Sequence, residues 1–225
     1  DKALTLAFNG TNGTAVTGAT DAVNGLKTID ASAATAAMTI DLTANAKTTT
    51  LNFANAGLTV KTGAGKDAIT LSATKATVDA GAADDTITTG TGGGTLTGGA
   101  GADKFAVVAS VATGTTEATA ILTTITDLAA GDSIKLLGGN TPVGAIGAKT
   151  ALDNTVTNLD QALAIAALTN TANEVSWFQY GANTYLVAND GTAGFAAGDL
   201  VVKITGLVDL SNSTLDTTTD FLTIV

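Results

Sequence analysis

The stretch that decides the fold runs from Thr62 to Ala106 and divides into five nonamers: TGAGKDAIT (62–70), LSATKATVD (71–79), AGAADDTIT (80–88), TGTGGGTLT (89–97) and GGAGADKFA (98–106). The eighth position of each is apolar: Ile69, Val78, Ile87, Leu96 and Phe105. Carried backwards, the register meets Val60, Leu51 and Leu42. Such a period predicts short stacked strands that bury one continuous column of side chains. The sixth position is more informative. Asp67, Asp85 and Asp103 occupy alternate nonamers, with Ala76 and Gly94 between them. If two nonamers make one full circuit, the three carboxylates line one side of the stack, and the other side has no acid at that position.

That arrangement points to a cation. Parallel strands stack about 4.8 Å apart. Carboxylates at that distance repel by roughly 3 kcal/mol at an effective dielectric of about 20. An ion between them reverses the sign. The donors on offer are carboxylate and main-chain carbonyl oxygens, hard ligands that suit Ca²⁺. Gly63, Gly65, Gly81, Gly99 and Gly101 allow the positive φ that would aim carbonyls at such an ion, and Ala83 stands where one more Gly is expected. The expected ligand loops are therefore those of Asp67, Asp85 and Asp103. One ion is expected between the first two loops and a second between the last two. Asp84 is read as a solvated neighbour.

Composition agrees with a metal-stapled stack. Among 225 residues there is no Cys and no His, the net charge is −10, and aromatics make up 4%. No Cys means no disulfide and no zinc-thiolate site. No His removes the usual catalytic triads and the HExxH zinc motif. The ten basic residues are all Lys, unclustered in an acidic chain, which argues against nucleic-acid binding. A core of Ala, Thr, Val and Ile suits thin stacked layers. No run is long enough to span a membrane as a helix.

GGAGADKFA matches in full the GGxGxDxUx nonapeptide of the RTX (repeats-in-toxin) family, U being a large apolar residue. TGAGKDAIT departs at its first position and AGAADDTIT at two. These residues resemble that family over about a fifth of the chain. GLKTIDASAATAAMTIDL (25–42) and LNFANAGLTVKTGAGKDAITL (51–71) look like the repeats of bacterial surface-layer proteins. ITDLAAGDSIKL (125–136) and NDGTAGFAAGDLVVKITGLVDLSNSTL (189–215) look like the C-terminal regions of such proteins. The resemblance implies an uncleaved C-terminal signal read by a type I ABC exporter; the apolar end Phe221–Val225 is compatible with that. It also implies export of an unfolded chain, folding where calcium is abundant, and self-assembly into a surface lattice. Anchoring to the cell would pass through an upstream part, since the chain opens at Asp1 without Met and reads as a C-terminal piece.

Outside the nonamers the sequence predicts β-structure with one helix. Residues 1–61 read as β-solenoid without the calcium motif, 62–106 as the calcium-binding β-roll, and 107–225 as a β-rich cap and secretion-signal region. Leu4, Leu6 and Phe8 alternate, and Asn9-Gly10 and Asn12-Gly13 mark turns. Ile121, Ile125, Ile134 and Leu136 are core candidates. Residues 153–169 read as a helix capped by Asp153, with Leu159, Leu163 and Ala166 on one face. Val175, Trp177, Phe178, Tyr180, Tyr185, Leu186 and Val187 predict a hairpin that carries an aromatic core. Val201, Val202, Ile204 and Leu207 predict a further strand.

Other motifs are weaker. Asn189-Asp190-Gly191 with Asp199 nine residues on has the acids of a further calcium loop but lacks the spaced acids and terminal Glu of an EF-hand, and it reads as a plain Asp-Gly turn. Gly63-Ala64-Gly65-Lys66 fails as a phosphate loop, because Asp67 stands where Ser or Thr is required. Asp127 and Asp132 read as turn acids. The formal glycosylation sequons at Asn9, Asn12 and Asn212 are expected by chance in Thr-rich sequence. The fold class expected is all-β: a parallel β-helix or β-roll of nonapeptides, then a β-rich cap with one helix. The function expected is a non-enzymatic, calcium-stabilised surface-layer segment, secreted to the bacterial cell surface. The alternatives are the RTX region of a secreted adhesin, or of a protease or toxin whose catalytic domain lies upstream.

Overall fold

The computed structural model describes residues 4–7, 15–17, 26–30, 39–41, 58–61, 64, 66–71, 75–108, 123–137, 145–169, 174–188, 194–196, 199–216 and 218–225. The chain is mostly β, rich in parallel pairing, with one helix among the described residues. It divides into two compact units, 1–106 and 107–225, the division falling where the nonamers end.

In the first unit the strands are β1 (Leu4–Ala7), β2 (Ala15–Thr17), β3 (Leu26–Asp30), β4 (Thr39–Asp41), β5 (Leu58–Lys61), β6 (Ala68–Thr70), β7 (Ala76–Asp79), β8 (Thr86–Thr88), β9 (Gly94–Thr97) and the first three residues of β10 (Lys104–Val108). Successive strands alternate between two sheets, so odd-numbered strands pair with odd and even with even, all parallel. The eighth position of each nonamer forms the columns. Val60, Val78 and Leu96 are in register in one sheet, and Ile69, Ile87 and Phe105 in the other. All six are fully buried. Each such apolar side chain contributes about 1.5–3 kcal/mol by leaving water. In β7, β8 and β9 the residues flanking the column are more exposed, as a two-residue period requires.

Upstream of β5 the strict period is lost. Ile40 pairs with Ile69, so the backward register through Leu42 does not hold; Ile29 pairs with Val60, and Leu6 with Ile29. Phe8, Leu51, Asn9-Gly10 and Asn12-Gly13 lie outside the described residues.

The second unit contains β11 (Thr123–Ile125), β12 (Ser133–Leu137), β13 (Ala145–Lys149), α1 (Leu159–Thr169), β14 (Glu174–Tyr180), β15 (Asn183–Ala188), β16 (Leu200–Thr205), β17 (Thr214–Asp216) and β18 (Phe221–Thr223). One sheet runs β11-β16-β15-β14-β13, and β18 lies between β17 and β12 in another. The expected hairpin is β14–β15, closed by Gly181 at φ +59°. Its aromatics divide between two faces. Phe178 stacks on Tyr185 at 5.2 Å against α1, with Leu159, Leu163, Ala166 and Val187. Trp177 is buried but does not belong to that cluster, because neighbours on a strand point to opposite sides.

The helix is shorter than expected and capped elsewhere. It starts at Leu159, and Asn158 Oδ1 accepts the Gln161 N–H at 2.9 Å while Gln161 Oε1 accepts the Thr157 N–H at 2.8 Å. Asn158 thus caps the helix start, and the Gln161 side chain reaches one residue past it to Thr157. Asp153 instead closes a local turn, its Oδ1 accepting the Thr155 N–H at 2.7 Å. Ile125, Ile134 and Leu136 are buried, and Ile121 lies outside the described residues. Leu207 falls beyond β16 and is 62% exposed. The terminal residues are built into the fold: β18 pairs on both sides, Leu222 and Ile224 are buried, and Ile224 exchanges main-chain hydrogen bonds with Gly131 and Asp132. No helix among the described residues is long and apolar enough to cross a membrane.

Candidate metal centre

Each acid-bearing turn delivers its Asp to the start of an even-numbered strand. Because β6, β8 and β10 stack in register, the three residues fall in one column. Asp67, Asp85 and Asp103 are 3%, 1% and 1% exposed. Asp85 Oδ1 accepts the Asp67 N–H at 2.7 Å, and Asp103 Oδ1 accepts the Asp85 N–H at 2.8 Å, each across 18 residues. The main chain continues the same link, with Thr86 N donating to Asp67 O and Lys104 N to Asp85 O. One oxygen of each lower carboxylate therefore serves as a rung between turns. The other oxygen of Asp85, Oδ2, is buried without a hydrogen-bond partner.

Burial pushes the Asp85 carboxyl up to about 7. The Asp67 N–H opposes that shift, while the charges of Asp67, Asp103 and Asp84 add to it. A buried carboxylate with an unpartnered oxygen and three acidic neighbours is costly unless something positive meets it.

The glycines are held by close approach. A Cβ on Gly99, at φ +101°, would fall 1.9 Å from Gly81 O, and one on Gly101, at φ +150°, 2.3 Å from Ala83 O. A Cβ on Gly98 would fall 2.3 Å from Asp103 Oδ2. Gly81 also has positive φ, +100°. Ala83 adopts φ +79°, a conformation that Gly would hold without strain. Gly63 and Gly65 lie outside the described residues.

Asp84 is exposed, and it is not simply solvated: Oδ2 takes Lys66 Nζ at 2.5 Å and Oδ1 takes the Ala102 N–H at 3.1 Å. The Lys66 hydrogen bond, then Ala102, holds the Asp84 carboxyl below its ordinary value, and Asp84 raises Lys66. Sequence reasoning missed this pair, although the register argument applied to the fifth position would have found it. Lys61 and Asp79 make a looser pair at 3.8 Å. Asp132 and Asp199 are buried turn acids within matching AAGD sequences; Asp132 Oδ2 accepts Ala129 N and Asp199 Oδ2 accepts Ala196 N. Residues 189–191 lie outside the described residues.

The donor set fits a hard cation better than a soft or redox metal. Asp85 offers one free oxygen, and the carbonyls of Gly81 and Ala83 face the next turn at close range. Among the described residues no three His, Cys, Asp or Glu side chains gather as a metal-holding group. An ion here would draw mainly on carbonyls with one or two carboxylates. No protein-family model matches the chain, and no curated protein does.

Proposed function

We propose that the first unit is a calcium-dependent β-roll of the RTX type, and that the chain is a non-catalytic, calcium-stabilised segment of a secreted surface-layer protein. The observation that carries the reading is the buried Asp67–Asp85–Asp103 column, with Asp85 Oδ2 unpartnered. The alternation of strands between two parallel sheets in an 18-residue register supports the β-roll. Asp67 and Asp85 would hold one ion, and Asp85 and Asp103 a second. The backbone carbonyls at positions 81, 83, 99 and 101, and at 63 and 65 by repeat register, would complete them.

Calcium bound there would supply positive charge between stacked carboxylates. The chain's own residues do the rest. The Gly turns bring carbonyls within reach, the apolar columns fix turn spacing, and Oδ1 of Asp85 and Asp103 holds adjacent turns together. Binding to the folded form alone stabilises it by mass action. A type I exporter would pass the unfolded chain, and calcium outside would drive folding and lattice assembly. The adhesin and the protease or toxin readings place a binding or catalytic module upstream.

The test is folding and assembly against calcium. Far-UV circular dichroism should show β-structure rising as calcium is added to the chelated chain, and electron microscopy should then show ordered arrays. Equal β-structure and equal thermal stability in chelator and in calcium would remove the calcium switch. Monodisperse, unassembled protein at saturating calcium would favour the adhesin reading.

A further inference from the structure

We propose that the exposed Lys66–Asp84 pair is a positioning device for the cation sites, holding successive acid-bearing turns in register from outside the carboxylate column. The inference rests on the calcium reading above.

The placement of Asp84 makes the case. Its carboxylate reaches 18 residues back to Lys66 Nζ and 18 residues forward to the Ala102 N–H. One side chain therefore ties three consecutive acid-bearing turns. Each contact residue stands immediately before a buried acid: Lys66 before Asp67, Asp84 before Asp85, Ala102 before Asp103. The inner column brings like charges together, and the outer one brings opposite charges together on the same turns. The metal-free turns thus have an attraction that opposes their repulsion at the same register.

Lys66 is otherwise badly placed. A cation beside a calcium loop repels the incoming ion, and the fully exposed surface offers a lysine many other positions. Its presence beside Asp67 is explained if alignment of the turns outweighs that repulsion. The two effects have opposite signs on removal of the charge, so they can be separated. If Lys66 acts only as a nearby charge, Lys66→Met tightens calcium binding. If it positions the turns, Lys66→Met weakens binding, because the ion must then align them itself.

The experiment is a calorimetric calcium titration of the full chain at low ionic strength, comparing the parent with Lys66→Met and Lys66→Arg, with metal-free melting recorded for each. An exposed pair of this kind supports an effect of about two- to fivefold on the calcium dissociation constant. Lys66→Met is expected to bind about that much more weakly, Lys66→Arg to bind like the parent, and the deficit of Lys66→Met to shrink in high salt. Lys66→Met that binds calcium as tightly as the parent, or more tightly, overturns the positioning role and leaves the calcium reading standing. A Lys66→Arg variant as weak as Lys66→Met also overturns it, since the charge pair is then irrelevant. A parent that binds no calcium overturns both.

Discussion

Asp85 Oδ1 accepts the main-chain N–H of Asp67 at 2.7 Å, so a side chain 18 residues away completes the backbone hydrogen bonding of the turn above it. This rung leaves Oδ2 of Asp85 buried and unpartnered. One residue is at once a structural link and a destabilising charge. Asp85→Asn should separate the two roles. The amide oxygen keeps the rung and the charge is gone. In chelator at pH 8 the variant should melt higher than the parent, by an amount equivalent to about 1–3 kcal/mol. In calcium the order should reverse. Thermal melts in both conditions check it.

The raised Asp85 carboxyl makes metal-free stability depend on pH with an unusual sign. Its folded value of about 7 lies above the ordinary 3.8. The folded form therefore holds its proton over that interval while the unfolded form has lost it. Stability from this group is fully present below pH about 4 and is lost as pH rises to about 7. The loss amounts to at most about 4 kcal/mol. Urea midpoints in chelator should fall between pH 4.5 and 7.5. Saturating calcium should remove the fall, because the ion then replaces the proton.

Ala83 stands at φ +79° where its nonamer relatives use Gly. A left-handed conformation costs a non-Gly residue roughly 1–2 kcal/mol, and Gly gives back part of that through its freer unfolded chain. Ala83→Gly should stabilise the protein by about 0.5–1 kcal/mol. Gly101→Ala should do the opposite and more strongly, since its Cβ would lie 2.3 Å from Ala83 O. A loss of about 2–4 kcal/mol is expected. Denaturant unfolding of both variants tests the pair.

At the helix of the second unit, Asn158→Ala should cost about 1 kcal/mol, because it removes the acceptor for the Gln161 N–H. Asp153→Ala removes an exposed local turn contact and should cost less. Opposite ranking in equilibrium unfolding would return the cap to Asp153.

What could be read from sequence follows from which interactions are periodic. The apolar column and the Asp column repeat at fixed spacing, so Val60 to Phe105 and Asp67, Asp85 and Asp103 were legible one residue at a time. The hairpin of Val175–Ala188 was legible because a two-residue turn separates its runs. Ile40 was not, because the strands upstream of β5 are not spaced at nine residues, and an apolar Leu42 satisfied the period equally well. Asn158 lost to Asp153 because both are good caps and the difference lies in where the apolar face of α1 meets β14 and β15. The split of Trp177 from Phe178 depends on what covers each face of the sheet, and composition does not carry that. The partners of Asp84, Lys66 and Ala102, are distant in sequence and near only through the stack, so the sequence leaves Asp84 a solvated acid.

The most direct test of the account is the calcium stoichiometry of the chain and of Asp85→Ala, measured by equilibrium binding at neutral pH. The account predicts two ions for the parent in the Asp67–Asp85–Asp103 column. It predicts the loss of both when Asp85 is removed, whereas Asp67→Ala or Asp103→Ala should each lose one. A parent that binds no calcium, or an Asp85→Ala variant that binds as many ions as the parent, would contradict it.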